Sequence, residues 1–114
     1  MTASKRSQTF LAISAGMLFL FAAGAARTDA IDGDWCRADG KRMSIRGPAI
    51  VTPGGHEIQG LYTRHYFEYA IPAGEPGAGD KVYITLLSET LAHARQGAPD
   101  AIVQVWNRCP PGIS

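Results

Sequence analysis

His56, His65 and His93, together with Glu57 and Glu68, are the residues of this 114-residue chain whose types suit a metal ion. Imidazole nitrogens and carboxylate oxygens are the usual ligands of zinc. Their spacing does not assemble them. His65 and Glu68 are an odd number of positions apart, which puts them on opposite faces of a strand, and His56 follows the turn residues Pro53, Gly54 and Gly55. Nucleophilic chemistry has no better footing. From Ile31 onward serine occurs only at 44, 88 and 114, never in a Gly-x-Ser-x-Gly turn beside a base. Glu57, Glu68 and Glu89 lie in no context that would raise a carboxyl pKa for glycoside cleavage. Pro53-Gly54-Gly55 is too short for a phosphate loop, and no helix follows it. The expectation is a protein without catalytic residues, metal or cofactor.

The two cysteines carry a different chemistry. Cys36 and Cys109 permit a single intrachain disulfide, and the residues ahead of them say where such a bond would form. Lys5 and Arg6 precede an apolar run from Phe10 to Ala23, and small residues follow from Ala22 to Ala26. Charge, apolar stretch and small residues in that order make a secretory signal over residues 1–30, cleaved after Ala25 or Ala30. The run is shorter than the roughly 20 apolar residues of a membrane span, so no span is expected after cleavage. Export to the periplasm or the medium places the thiols where they pair and stay paired. The bond would join the two ends of the mature chain and stabilise it by about 4 kcal/mol in the chain-entropy description.

Residues 31–114 are a single small β domain in this reading, since 84 residues bury only one core. From Ile31 onward eight Lys plus Arg face nine Asp plus Glu, a formal charge of −1. Affinity for a phosphate backbone needs an excess of cations, so nucleic acid is not an expected partner. Turn residues recur at Asp39-Gly40, Gly47-Pro48, Pro53 to Gly55, Pro72 to Asp80 and Gly97 to Asp100. They divide the chain into Lys41 to Arg46, Ala49 to Thr52, Glu57 to Ile71, Lys81 to Leu87 and Ala101 to Cys109. Turns at this spacing predict an all-β fold, a small antiparallel meander closed into a barrel or half-barrel.

Alternation predicts the faces. In the longest segment Leu61, Thr63, His65, Phe67, Tyr69 and Ile71 share one side, while Tyr62, Arg64, Tyr66 and Glu68 share the other. Val82, Ile84 and Leu86 fall together in the next. Toward the end, Val103, Val105 and Cys109 oppose Ile102, Trp106 and Arg108, the pattern of a central or covered strand. Ser88 to Gln96 fits a short strand better than a helical turn.

Gly33-Asp34-Trp35, followed by the Asp39-Gly40 turn and a strand through Met43 to Ile45, resembles the opening of lipocalin-like (calycin) proteins, which include avidin-like barrels. That resemblance implies that Trp35 plugs one end of a barrel and that Arg108 packs over it. The wider pattern, a leader, Asp-Trp-Cys and a closing Trp-Asn-Arg-Cys, is similar to small exported bacterial proteins of unassigned role. A weaker similarity to periplasmic inhibitors of lysozyme, also small disulfide-tied barrels, rests on Gly60 and Tyr62 and transfers no residue.

Tyr62, Arg64 and Tyr66 form the candidate recognition surface, because tyrosine and arginine supply much contact area at modest entropic cost. The function expected is binding without turnover, of an envelope protein partner or of a small apolar ligand. A dry cavity lined by Phe67, Tyr69 and Ile84 would favour the ligand, and a filled core with a Tyr62, Arg64, Tyr66 patch the partner. The alternatives are a structural or stress protein of the cell envelope without a discrete ligand, or an inhibitor of the lysozyme-binding kind.

Overall fold

The computed structural model describes residues 30–112, and those residues form nine antiparallel strands in one sheet. They are β1 (Gly33–Cys36), β2 (Arg42–Arg46), β3 (Ala49–Val51), β4 (Glu57–Gln59), β5 (Leu61–Thr63), β6 (Tyr66–Ala70), β7 (Lys81–Ser88), β8 (Leu91–Gln96) and β9 (Gln104–Arg108). Their order is β4-β3-β2-β1-β9-β8-β7-β6-β5. The first and last strands are therefore neighbours, and the two strands at the ends of the order are consecutive in the chain. This is a barrel, nearly closed. Within the Ser88 to Gln96 segment, Ser88 ends β7, Glu89 and Thr90 turn the chain, and Leu91–Gln96 form the strand β8. Apart from Ala30, the expected leader lies outside the described residues. No helix among them is long and apolar enough to cross a membrane.

The core comes from alternation around the whole sheet. Trp35, Met43, Ile45, Ile50, Phe67, Tyr69, Val82, Ile84, Ala92, Ala94 and Trp106 are buried from seven of the strands, and Ile58, Tyr62 and Leu86 pack partly against them. Size is matched across neighbours. Ala92 stands opposite Trp106 and Ala94 opposite Ile84, so the small residues of β8 leave room for the large ones on β9 and β7. β9 is central, between β1 and β8, with Trp106 turned inward and Val105 outward.

The segment from Glu57 to Ile71 is three strands and not one. Arg64 and His65 form a turn, and the hairpin pairs Leu61 with Glu68, Tyr62 with Phe67, and Thr63 with Tyr66. A turn reflects the face pattern. Phe67, Tyr69 and Ile71 point inward as expected, but so does Tyr62, whereas Leu61 is 60% exposed and Thr63 and His65 lie on the outside or in the turn.

Gly60 separates β4 from β5. Its amide donates to the carbonyl of Pro48 at 2.8 Å, continuing the β3–β4 ladder, and the next residue begins the β5–β6 ladder. Through Gly60 the chain thus passes from β4 at one edge of the sheet to β5 at the other and closes it covalently. A Cβ at Gly60 would lie 2.5 Å from the Glu68 carbonyl oxygen and from the Phe67 ring. We expect Gly60→Ala to lower stability by about 1–3 kcal/mol in urea unfolding, the cost of overpacking, with loss of Phe67 contacts in NMR spectra. An unchanged midpoint would show that the two edges do not meet there.

Candidate functional site

The end of the barrel where the chain enters is sealed. Trp35 and Arg108 stand directly opposite one another across the β1–β9 ladder, and the guanidinium lies over the indole at 4.3 Å from its centroid. Such a cation over an aromatic face contributes about 0.5–2 kcal/mol, more as water is excluded. The same guanidinium donates from Nε to the Glu89 carbonyl at 2.8 Å, from Nη1 to Asp32 at 2.5 Å and from Nη2 to Ala30 at 3.1 Å. It therefore pins the N-terminal segment and the β7–β8 turn to β9. Burial pulls its pKa below the ordinary arginine value. Trp35 is fully buried, and its Nε1 donates to the Ile31 carbonyl at 2.9 Å.

Two further contacts complete the seal. Asp32 accepts from the Tyr62 hydroxyl at 2.5 Å and from the Gly47 amide at 2.8 Å. Burial alone would raise the Asp32 carboxyl, but those two donors hold it below its usual value. The Ile31 amide donates to the Arg64 carbonyl at 2.8 Å. Gly33, in the Gly-x-Trp segment, has φ +127°, and a Cβ there would sit 2.6 Å from Arg108 Nη1.

Cys36 and Cys109 form the disulfide, with sulfur atoms 2.01 Å apart and Cα atoms 5.0 Å apart, and the Cys109 amide donates to Asp34 at 3.0 Å. Because the strands run antiparallel, the bond crosses the ladder diagonally, with Cys36 next to Trp35 on β1 and Cys109 next to Arg108 after β9.

The opposite end is different. A cavity of about 170 Å³ opens there. Met43, Tyr69, Val82, Ala94 and Trp106 supply its apolar wall, and Arg37, Lys41, Glu75, Gln96 and Gln104 its polar one. Each polar residue comes from a strand end or the loop beside it. Gln96 follows Ala92 and Ala94 on the inward side of β8, and Gln104 precedes Trp106 and Arg108 on that of β9. Arg37 lies over the Trp106 ring at 5.2 Å and pairs with Asp39 through Nε at 3.0 Å and Nη2 at 2.7 Å. That pairing lowers the Asp39 pKa to about 2 and raises that of Arg37. Burial pushes the Tyr69 phenol up to about 12, so it keeps its proton.

Glu75 organises the rim. It belongs to the β6–β7 loop, yet its side chain is only 7% exposed because it tucks against the β3–β4 turn. Oε2 accepts from Thr52 Oγ1 at 2.5 Å and lies 2.6 Å from His56 Nδ1, and the Gly54 backbone adds a further hydrogen bond. Burial opposes ionisation, but these partners keep the carboxyl below its usual range.

The residues expected to make a recognition surface do not stand together. Tyr62 is turned inward to Asp32 at the sealed end, Arg64 is exposed in the turn that follows, and Tyr66 lies outward with its hydroxyl on Glu68 at 2.9 Å. The reason is the Arg64–His65 turn, which breaks the single strand that the alternation implied. Trp35 and Arg108 are brought together. The three histidines lie in different places: His56 on the rim with Glu75, His65 in the β5–β6 turn, and His93 between Thr85 and Val105 on the wall. No group of three metal-ligating residues occurs among the described residues. Sequence reading missed Arg37, Glu75, Gln96 and Gln104. For the two glutamines the signal was available, since each shares the parity of its buried neighbours.

No protein-family model matches the chain, and neither the curated proteins nor the solved structures contain a match to it.

Two outcomes test the two ends separately. Gly33→Ala should cost about 1–3 kcal/mol of stability in chemical denaturation and expose Trp35 to acrylamide quenching, because the residue would be strained and would displace Arg108. The depressed Glu75 and Asp32 carboxyls stabilise the fold above their unfolded pKa, and that contribution is lost as pH falls through their folded values. Thermal unfolding of the native protein should weaken below about pH 5, and Glu75→Gln should lower Tm at pH 7 while reducing that acid dependence. Parallel pH profiles for the two proteins would contradict the role given to Glu75.

Proposed function

We propose that this protein is an exported, lipocalin-like binding barrel that takes a small ligand into its open end without chemical turnover. One observation carries the reading: the barrel is sealed at the Trp35–Arg108 end and holds a cavity of about 170 Å³ at the other. Engineered apolar cavities of about 150 Å³ accept benzene, so the space suits a ring or a short branched chain. A pocket with an apolar wall and a few convergent polar groups is the usual form of a small-molecule site.

Of the wall's groups that could act as nucleophiles, Tyr69 keeps its proton and Glu75 is engaged by Thr52 and the Gly54 backbone, which favours binding over attack by either. Ser44, in β2, is held by Asp34 at 2.6 Å. The disulfide supports an oxidising compartment, hence periplasm or medium. The ligand reading is favoured over a protein partner because Tyr62, Arg64 and Tyr66 form no common patch. Its site differs from the one first expected, however. Phe67 and Ile84 are fully buried in a filled core, and of the three residues named for a cavity only Tyr69 lines this one.

Screening uncharged and charged fragments of about six to ten heavy atoms by ¹H–¹⁵N NMR checks the proposal. Binding should perturb the amides of Met43, Val82, Ala94 and Trp106, and Gln104→Phe, which fills the mouth from a half-buried position, should abolish the response. Perturbations confined to the outer wall or the Trp35 end would overturn it.

A further inference from the structure

Trp106 combines two properties seldom found together. It is 2% exposed, and its Nε1–H has no acceptor among the described residues. Leaving a buried donor unpaired costs about 1–3 kcal/mol, so such a group is unusual in a well-packed interior. The other tryptophan, Trp35, shows the ordinary arrangement, with its Nε1–H on a backbone carbonyl. Trp106 also lines the cavity at the open end, whose polar wall carries Arg37, Lys41, Tyr69, Gln96 and Gln104 beside Glu75. Arg37 covers its ring and gives two N–H bonds to Asp39, which leaves three of the five guanidinium protons for other acceptors. Lys41 adds an ammonium to the same wall and Gln104 an amide, while the Gln96 amide nitrogen already donates to Asp80 at 3.2 Å. Tyr69 adds a protonated hydroxyl.

The carboxylate of the wall does not balance this set. Glu75 Oε2 already takes a hydrogen bond from Thr52 and contacts His56, and the Gly54 backbone adds another, while its charge reaches the Tyr69 phenol on the same wall. The Asp39 carboxylate pairs with Arg37 and lies outside the lining. The cavity is therefore apolar on one side and rich in donors on the other.

We infer that the ligand is a small organic anion of the carboxylate class, its apolar body against Met43, Val82 and Ala94 and its oxygens received by Trp106 Nε1–H and the Arg37 guanidinium. This inference rests on the proposed binding function and specifies its chemistry. Hydrogen bonds to an ionised acceptor are roughly twice as strong as neutral ones, and a cation beside the acceptor favours the charged form over its neutral isostere.

The test uses three probes of one shape: benzoate, toluene and benzylammonium. The chain has two tryptophans, so NMR of the native disulfide-bonded protein shows at most two indole Nε1–H resonances, assigned with Trp106→Phe or by backbone correlation. Benzoate should shift the Trp106 resonance downfield and saturably, leave that of Trp35 in place, and bind about tenfold tighter than toluene, with benzylammonium weakest. Arg37→Gln should weaken benzoate about fivefold or more and toluene much less, and Lys41→Gln should act in the same direction. Toluene or benzylammonium binding as tightly as benzoate, with the Trp106 resonance still responding, would overturn the anion and leave the ligand site standing. A Trp106 resonance indifferent to all three would overturn the site itself.

Discussion

The closure of β1 onto β9 is the constraint on which the rest of this structure depends. That ladder is short, pairing Trp35 with Arg108 and Cys36 with Asn107. Backbone pairing over two residues is a weak join for the two ends of a chain, and three reinforcements surround it. The disulfide links the strands covalently across 73 positions, a loop long enough for a stabilisation of about 4 kcal/mol. The Arg108 guanidinium covers Trp35 and grips three carbonyls from two other segments. The Cys109 amide extends the pairing by one bond to Asp34. Without this join the sheet would be open, with β1 and β9 as bare edges and both tryptophans beside them.

The two ends of the barrel differ because the same closure is reinforced at only one of them. Around Arg108 the interior is filled by Ile31, Trp35 and the Tyr62–Asp32 pair. At the other end the inward positions of β8 and β9 become Gln96 and Gln104, β6 runs into a ten-residue loop before β7, and the side chains no longer meet. Glu75 compensates by tying that loop to the β3–β4 turn through Thr52 and His56, which holds the rim open in a defined shape. In the binding function proposed, the bounded opening would give a ligand a rigid wall, and rigidity reduces the entropic cost of binding.

Much of this was legible in the residues. Alternation marked Phe67, Tyr69 and Ile71, and Val82, Ile84 and Leu86, as inward because period two is a property of the strand itself. The disulfide followed from the presence of two cysteines, which permit one intrachain pairing. Two features were not legible, and both concern the segment from Glu57 to Ile71. Arg64 and His65 turn the chain without glycine, proline, asparagine or aspartate, so no local signal marked the hairpin. Gly60 lies inside the segment that alternation reads as one strand, yet its role depends on Pro48 in the β2–β3 turn and Glu68 in β6, which only the closed sheet brings together. The open end was hidden for a similar reason. Gln96, Gln104, Arg37 and Glu75 are ordinary surface types, and their convergence is set by closure and not by spacing.

Amide hydrogen exchange of the protein with its disulfide intact and then reduced under native conditions addresses that closure most directly, since exchange reports local opening strand by strand. If the β1–β9 join governs the fold, reduction should release the amides of Cys36, Asn107 and Cys109 first and expose Trp35, while β6, β7 and β8 keep most of their protection. Equal protection of β1 and β9 before and after reduction, or earlier release of β7 and β8, would contradict it.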